Sequence, residues 1–204
     1  MNESTIIERV FNENINLKKF KLVIHNFGNT SARFNDKCII KPSGISFESL
    51  KKNQLVKVNI SNGQHTGNLN PSTDTATHLK IYQSYSNVGG VAHTHSLYAT
   101  SWAQAAKPIP CLGTTHADYW KGSIPVTRPM TEEEINGDYE LETGNVIVES
   151  LNNLGLEPLH CPVILVANHG PFTWGATVED AVKHAELLEY IAKLAWLTLT
   201  VNPD

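Results

Sequence analysis

Val88-Gly89-Gly90-Val91-Ala92-His93-Thr94-His95 is the stretch that decides how this chain is read. The apolar run from Val88 to Ala92 reads as a buried strand, and His93-Thr94-His95 continues it. Side chains two apart on a strand point to the same face, so both imidazoles are expected on one side of a sheet. Two rings held that way make half of a tetrahedral metal site. A second apolar run, Val163 to Ala167, reads as another buried strand and ends in Asn168-His169-Gly170-Pro171, a sharp turn. Loops at strand ends are where α/β proteins place ligands. Asp74 opens a predicted helix shortly before the first strand. Three histidines with one carboxylate suit a divalent transition metal; zinc fits, and so does manganese. Four protein ligands would usually close such a site. A loosely held carboxylate would instead let substrate oxygens enter. The competing expectation for Asp74 is a helix N-cap.

Working outward, Ile6, Ile7, Val10, Phe11 and Ile15 recur at helical spacing over residues 4–16. Residues 37–40 and 55–60 read as strands, with Pro42-Ser43-Gly44 as a turn between them and Asn62-Gly63 as a further turn. Ser72-Thr73-Asp74 is a good helix start. Residues 98–105 read as a helix stopped by Pro108 and Pro110, and 111–130 as irregular. Residues 142–154 read as a helix ending at Gly155. A long helix from Thr177 to about Leu199 carries Val178, Ala181, Val182, Ala185, Leu188, Ile191, Ala192 and Ala195 at a period near 3.6. This mixture of strands and helices predicts a layered α/β domain.

The chain has 204 residues, 41% of them hydrophobic, which predicts one globular domain over residues 1–204. A net charge of −4 gives no electrostatic case for nucleic acid. No apolar run spans a bilayer, so no membrane partner is expected. The N-terminus lacks a basic region followed by an apolar core, and Cys38, Cys111 and Cys161 stand in no paired pattern. Both features predict a cytoplasmic protein with reduced thiols, each cysteine serving as a small buried residue. His25, His65, His160 and His184 are expected to be packing or surface residues.

Three polar segments present glycine amides or hydroxyls: Asn26 to Ser31, Lys41-Pro42-Ser43-Gly44 and Pro71-Ser72-Thr73. Such turns form concavities for anions, and Lys41 adds a charge. They match no P-loop, because Gly-Lys-Ser is missing. Beside a metal cluster they point to a phosphorylated small molecule. A further loop, Gly113-Thr114-Thr115-His116-Ala117-Asp118-Tyr119, gathers titratable groups. Asp118 or His116 could move protons if drawn into the site. Glu140 and Glu142 begin a helix, where a favourable interaction with its dipole accounts for them.

These segments, together with Glu134 to Gly137, Glu142 to Val146 and Asn168 to Phe172, resemble the L-ribulose-5-phosphate 4-epimerases of the class II aldolase/adducin superfamily. The resemblance runs in order from about residue 20 to residue 195. His-x-His and His-Gly are shared across the superfamily, whereas Gly113 to Tyr119 points to the epimerases. The resemblance implies a three-layer α/β/α domain with a central, mainly antiparallel sheet. It also implies a C4 homotetramer with active sites at subunit interfaces. By similarity His93, His95 and His169 hold zinc, and Asp74 is a further ligand. Gly28, Asn29, Lys41, Ser43, Gly44, Ser72 and Thr73 fall on or beside positions that hold the phosphorylated pentulose. Asp118 matches a catalytic acid/base. The implied reaction is retro-aldol cleavage between carbons 3 and 4, rotation of the tethered fragment, and re-formation of the bond. The pathway supplying the substrate, from arabinose or ascorbate, is not separable by sequence.

One departure stands out. The epimerases carry a C-terminal tyrosine as second acid/base, whereas Tyr190 here falls inside the long predicted helix. His116, Tyr119 and Glu140 are then the alternatives, unranked. The competing enzyme is a sugar-phosphate aldolase of the L-fuculose 1-phosphate type. Those enzymes place Glu where this chain has Asp74, which favours the epimerase. A metal-free, adducin-like interaction domain would have lost the histidines that this chain keeps.

Overall fold

A computed structural model describes residues 2–202. Helix α1 (Glu3–Lys19) is followed by strands β1 (Asn29–Phe34), β2 (Lys37–Ile40) and β3 (Val56–Asn59), then by helix α2 (Thr75–Ser84), strand β4 (Gly90–His93) and helix α3 (Leu97–Gln104). Short helices α4 (Thr114–Ala117) and α5 (Glu132–Asn136) precede α6 (Tyr139–Asn153). Strands β5 (Val163–Leu165) and β6 (Pro171–Gly175) and the long helix α7 (Val178–Val201) complete the order. The six strands form one sheet in the order β3-β2-β1-β4-β6-β5, with every named pair antiparallel. The expected α/β/α layering with an antiparallel sheet is what the chain adopts.

Strand alternation sorts the core into two faces. Cys38, Ile40, Val56, Val58, Val91, Ile164, Phe172 and Trp174 pack against Leu79, Ile81 and Tyr82 of α2 and Ile147 and Leu151 of α6. Ala32 and Ile39 meet Ile6 and Val10 of α1, while Ala92 meets Ala181, Val182 and Ala185 of α7. Val163 and Leu165 face α3 and the later turns of α7, through Ala99, Leu188 and Ile191. The apolar period of α7 is therefore the stripe that covers one sheet face. Its start is fixed by a capping box in which the Thr177 side chain accepts from the Asp180 amide.

Several elements depart from expectation. Asn26 to Ser31 reads as one polar turn, yet Asn29, Thr30 and Ser31 are buried in β1 at the centre of the sheet. The polar groups of Thr30 and Ser31 are satisfied from neighbouring elements. The Asn14 amide donates to the Thr30 carbonyl at 3.1 Å, and the Ser31 hydroxyl lies 2.8 Å from both His78 Nδ1 and Tyr82 Oη. The segment expected to be irregular contains α4, and two isolated bridges, Ile109 with Ile124 and Val126 with Leu165, tie it to the body. Strand β6 begins inside what reads as a turn. All three cysteines are free; Cys38 and Cys161 are buried, but Cys111 is exposed, against the expectation for it.

Gly90 and Gly175 sit opposite each other on β4 and β6. A β-carbon on Gly90 would overlap the Thr177 carbonyl and the Val178 α-carbon. The start of α7 therefore lies directly on sheet backbone, with no room for a side chain. Gly90→Ala should lower stability by about 3 kcal/mol or more, since the obstructing atoms are backbone and cannot rotate away. Urea unfolding measures this, and a loss below about 1 kcal/mol would show that the contact yields.

Candidate metal centre and cleft

The ladder places Asn29 of β1 opposite His93 of β4, and His93 opposite Phe172 of β6. These residues form one row across the end of the sheet, on the face covered by α2. The His93 ring stacks on Phe172 with centroids 4.1 Å apart. Its Nδ1 donates to the Pro171 carbonyl at 3.0 Å, because a carbonyl can only accept. That bond places the proton on Nδ1 and leaves the Nε2 lone pair free.

His95 arrives by another route. Strand β4 ends at His93, so His95 lies in the three-residue connection before α3 rather than on the strand. Its Nε2 nevertheless lies 3.0 Å from His93 Nε2. His169 comes from the β5–β6 turn, where Asn168 takes the left-handed conformation at φ 63°. The Asn168 amide donates to the Ala103 carbonyl, which ties this turn to the end of α3. The His169 ring centroid lies 4.7 Å from that of His93 and 5.4 Å from that of His95. One nitrogen from each ring falls within 4.8 Å of the others. Two Zn–N bonds of about 2.0–2.1 Å at the tetrahedral angle hold their nitrogens about 3.3 Å apart. The trio could therefore hold one divalent cation. Buried His169 Nδ1 has no hydrogen-bond partner.

Asp74 stands at the N-cap of α2, but its side chain makes no cap bond. It turns instead towards Asn29, whose amide donates to Asp74 Oδ2 at 2.6 Å and to Ser72 Oγ at 2.9 Å. Burial alone would raise the Asp74 carboxyl. The facing His93 and His78 rings and the Asn29 amide outweigh burial and hold it below its usual range. Asp74 is not within the close imidazole group; it lines the same cleft.

That cleft has a volume of about 380 Å³ and brings together Gly28, Lys41, Ser43, Gly44, Ser72, Thr73, Asp74, His95 and His169. Residues 41–44 and 70–73 are zipped to each other: the Ser43 amide donates to the Asn70 carbonyl and the Ser72 amide to the Lys41 carbonyl, each at 3.0 Å. Lys41 is buried, with Nζ 5.0 Å from the centroid of the Phe47 ring; burial lowers its pKa, partly opposed by Asp74. Gly28 has φ 86°, and a β-carbon there would sit 2.9 Å from the His93 carbonyl, so only glycine brings this loop against the strand end. Asn29 Oδ1 is buried and unpartnered, an acceptor left open beside the cleft.

Asp118 is not brought into this group. It is exposed at the end of α4 and does not line the cleft. Of the three unranked alternatives, Glu140 lines the cleft while His116 and Tyr119 do not. Sequence reasoning misses Tyr139, which lines the cleft with its ring 5.7 Å from His169, and Phe27, an exposed lip residue 5.8 Å from His95. The signal for Tyr139 is its place beside Glu140 at a helix start, where dipole stabilisation already accounts for the acid.

Residues 8–196 match the family described as Class II Aldolase and Adducin N-terminal domain. The chain belongs to that family. Solved structures of this fold agree. An L-fuculose 1-phosphate aldolase superposes with a TM-score of 0.77 at 24% identity, covering 99% of this chain and 90% of the other. The L-fuculose-1-phosphate aldolase from Thermus thermophilus gives 0.76 at 19% identity over 98% and 99%. A sugar-phosphate aldolase from Thermotoga maritima gives 0.76 at 17% identity over 97% and 96%. At such identities the likeness is one of fold. Among the described residues no helix is long and apolar enough to cross a membrane.

Burial and the neighbouring rings push His169 down to about 3 and His95 to about 4, and burial pushes His78 to about 3. In this member of the aldolase and adducin family His95 and His169 are thus neutral lone-pair donors well below pH 7, and buried His78 is neutral too. In the unfolded chain all three titrate near 6.5. As pH falls from about 6.5 towards 4 the unfolded chain takes up protons that the folded chain refuses, so stability falls with pH over that window. Urea midpoints of metal-free protein should drop from about pH 7 to pH 5, and equal midpoints would contradict these environments. Zinc should bind EDTA-treated protein at one ion per chain by calorimetry. His169→Ala should cost more than the roughly 10–100-fold typical of losing an outer partner; unchanged affinity would place the ion elsewhere.

Proposed function

We propose that the chain is a metal-dependent L-ribulose-5-phosphate 4-epimerase, converting that substrate to D-xylulose 5-phosphate. The observation that carries this reading is a cleft that joins His95 and His169, two of three converging imidazoles with His93 buried behind them, to Lys41 and a set of hydroxyls. Carbon 4 of the pentulose carries no acidic proton, so its inversion needs the bond between carbons 3 and 4 to break and re-form. A divalent cation, zinc or manganese, supplies Lewis acidity at the ketose oxygens when bound by His93, His95 and His169. Asp74 completes the reading as a further ligand on the substrate side.

The chain's own residues do the rest. Lys41, Ser43, Gly44, Ser72 and Thr73 hold the phosphate and so keep the cleaved fragment in place while it rotates. The N-terminus of α2, just beyond Thr73, adds its positive end to that anion site. Gly28 lets the backbone approach the substrate, and Asn29 Oδ1 accepts from a substrate hydroxyl. Asp118 acts as one acid/base. Because it lies outside the cleft of its own chain, the reading requires a homo-oligomer, a tetramer by resemblance, in which Asp118 enters a neighbour's cleft. Exposed Phe27 and Leu97, flanking the His95 segment, give such a neighbour apolar surface to cover. Glu140 is the in-chain group for the opposite face of the fragment.

A sugar-phosphate aldolase of the L-fuculose 1-phosphate type uses the same kind of cleft, and the similar solved structures carry that name. Asp74, shorter than the glutamate of those enzymes, favours the epimerase. Incubation with L-ribulose 5-phosphate should give D-xylulose 5-phosphate without free glycolaldehyde phosphate. Released fragments alone would favour the aldolase, and no turnover with zinc bound would overturn the epimerase. Asp118→Asn should lower turnover about 10²–10⁴-fold with zinc content intact; unchanged turnover would remove Asp118 from the chemistry.

A further inference from the structure

The three imidazoles are not held equally. His93 is fixed by the sheet ladder, by the Pro171 carbonyl and by stacking on Phe172. His169 sits in a closed hairpin turn whose backbone is bonded to Ala103 and Val166. His95 lies between two anchors, the last residue of β4 and the first turn of α3, and its Nε2 lies 3.0 Å from His93 Nε2. The position of α3 therefore sets where His95 points.

The first turn of α3 leaves backbone N–H groups without helical partners. Ser96, its N-cap, makes no side-chain cap bond. The cap comes from α7: Glu189 Oε1 accepts from the Tyr98 amide and Oε2 from the Ala99 amide, both at 2.9 Å. Ala99 is fully buried, so its amide has no water to turn to. A carboxylate bonded to two amides at the positive end of a helix is a strong, directional tether. A second tie, from Trp102 Nε1 to the Ala192 carbonyl at 3.0 Å, holds α3 to α7 one turn further from His95.

We infer that Glu189 is a positioning residue for the metal centre, pinning the start of α3 so that His95 meets His93 and His169. The inference rests on the reading of the trio as a cation site. Glutamine at 189 keeps one acceptor oxygen but leaves one of the two amides unpaired, which frees the end of α3 nearest His95.

Cobalt(II) titration, followed by its visible d–d absorption, tests this on wild type, Glu189→Gln and Trp102→Phe, with folding checked by circular dichroism. Glu189→Gln should weaken cobalt binding about 10–100-fold and change the absorption, as loss of one nitrogen ligand would. Trp102→Phe should lose thermal stability yet keep wild-type affinity and spectrum. If Glu189→Gln does not fold, Glu189→Asp, with its carboxylate drawn back by one methylene, should show the same changes. Wild-type affinity and spectrum in the Glu189 variant would overturn the positioning role alone. Equal weakening in both variants would reduce Glu189 to a general stabiliser and also overturn it. Wild type that takes up no cobalt would overturn the inference together with the cation site.

Discussion

The hydrogen bond from His93 Nδ1 to the Pro171 carbonyl is the constraint on which the site depends. It spans β4 and β6, two neighbouring strands of the sheet, and fixes the tautomer and the direction of the central ring at once. The same carbonyl also accepts from the Thr94 amide, so the chain leaving β4 is held against the turn that carries His169. Phe172 backs the ring with a flat apolar surface. The other two imidazoles and the cleft walls are arranged around this fixed ring. Gly28 can approach the His93 carbonyl because it lacks a side chain, and Asn29 stands across the ladder from it.

The electrostatics follow from the same packing. His95 and His169, neutral in their buried setting, are poor proton acceptors and good cation ligands. Asp74 and Lys41 line the cleft as charges of opposite sign, and the Asp74 carboxylate offsets part of the desolvation of the Lys41 ammonium. A cleft with lone pairs on one wall and a buried ammonium with hydroxyls on another suits a ligand that is oxygen-rich at one end and anionic at the other. Membership of the class II aldolase and adducin family agrees with this chemistry.

Much of this is legible in the sequence, and the omissions have physical causes. The period of α7 and the apolar runs of β4 and β5 are long enough to declare themselves. Strand β1 is hidden because Asn29, Thr30 and Ser31 do not read as an apolar run; Asn14, His78 and Tyr82, from distant parts of the chain, satisfy the polar groups of Thr30 and Ser31. His95 joins the cluster, but strand alternation is an incomplete reason for it. The strand stops at His93, and it is the α3 connection that returns the ring to its partner. Tyr139 escapes notice because its one local mark, a helix start beside Glu140, is already accounted for by the helix dipole; the packing of α6 beside α2 brings it to His169. Asp118 is singled out by its motif, and the single chain leaves it outside the cleft because α4 lies on an exposed loop.

The whole arrangement turns on the convergence of His93, His95 and His169 on one ion. X-ray absorption at the zinc edge of the zinc-loaded chain tests it directly. Three imidazole nitrogens at about 2.0–2.1 Å, with oxygen completing the shell, are expected. Fewer than three imidazoles, or sulfur at about 2.3 Å, would contradict it.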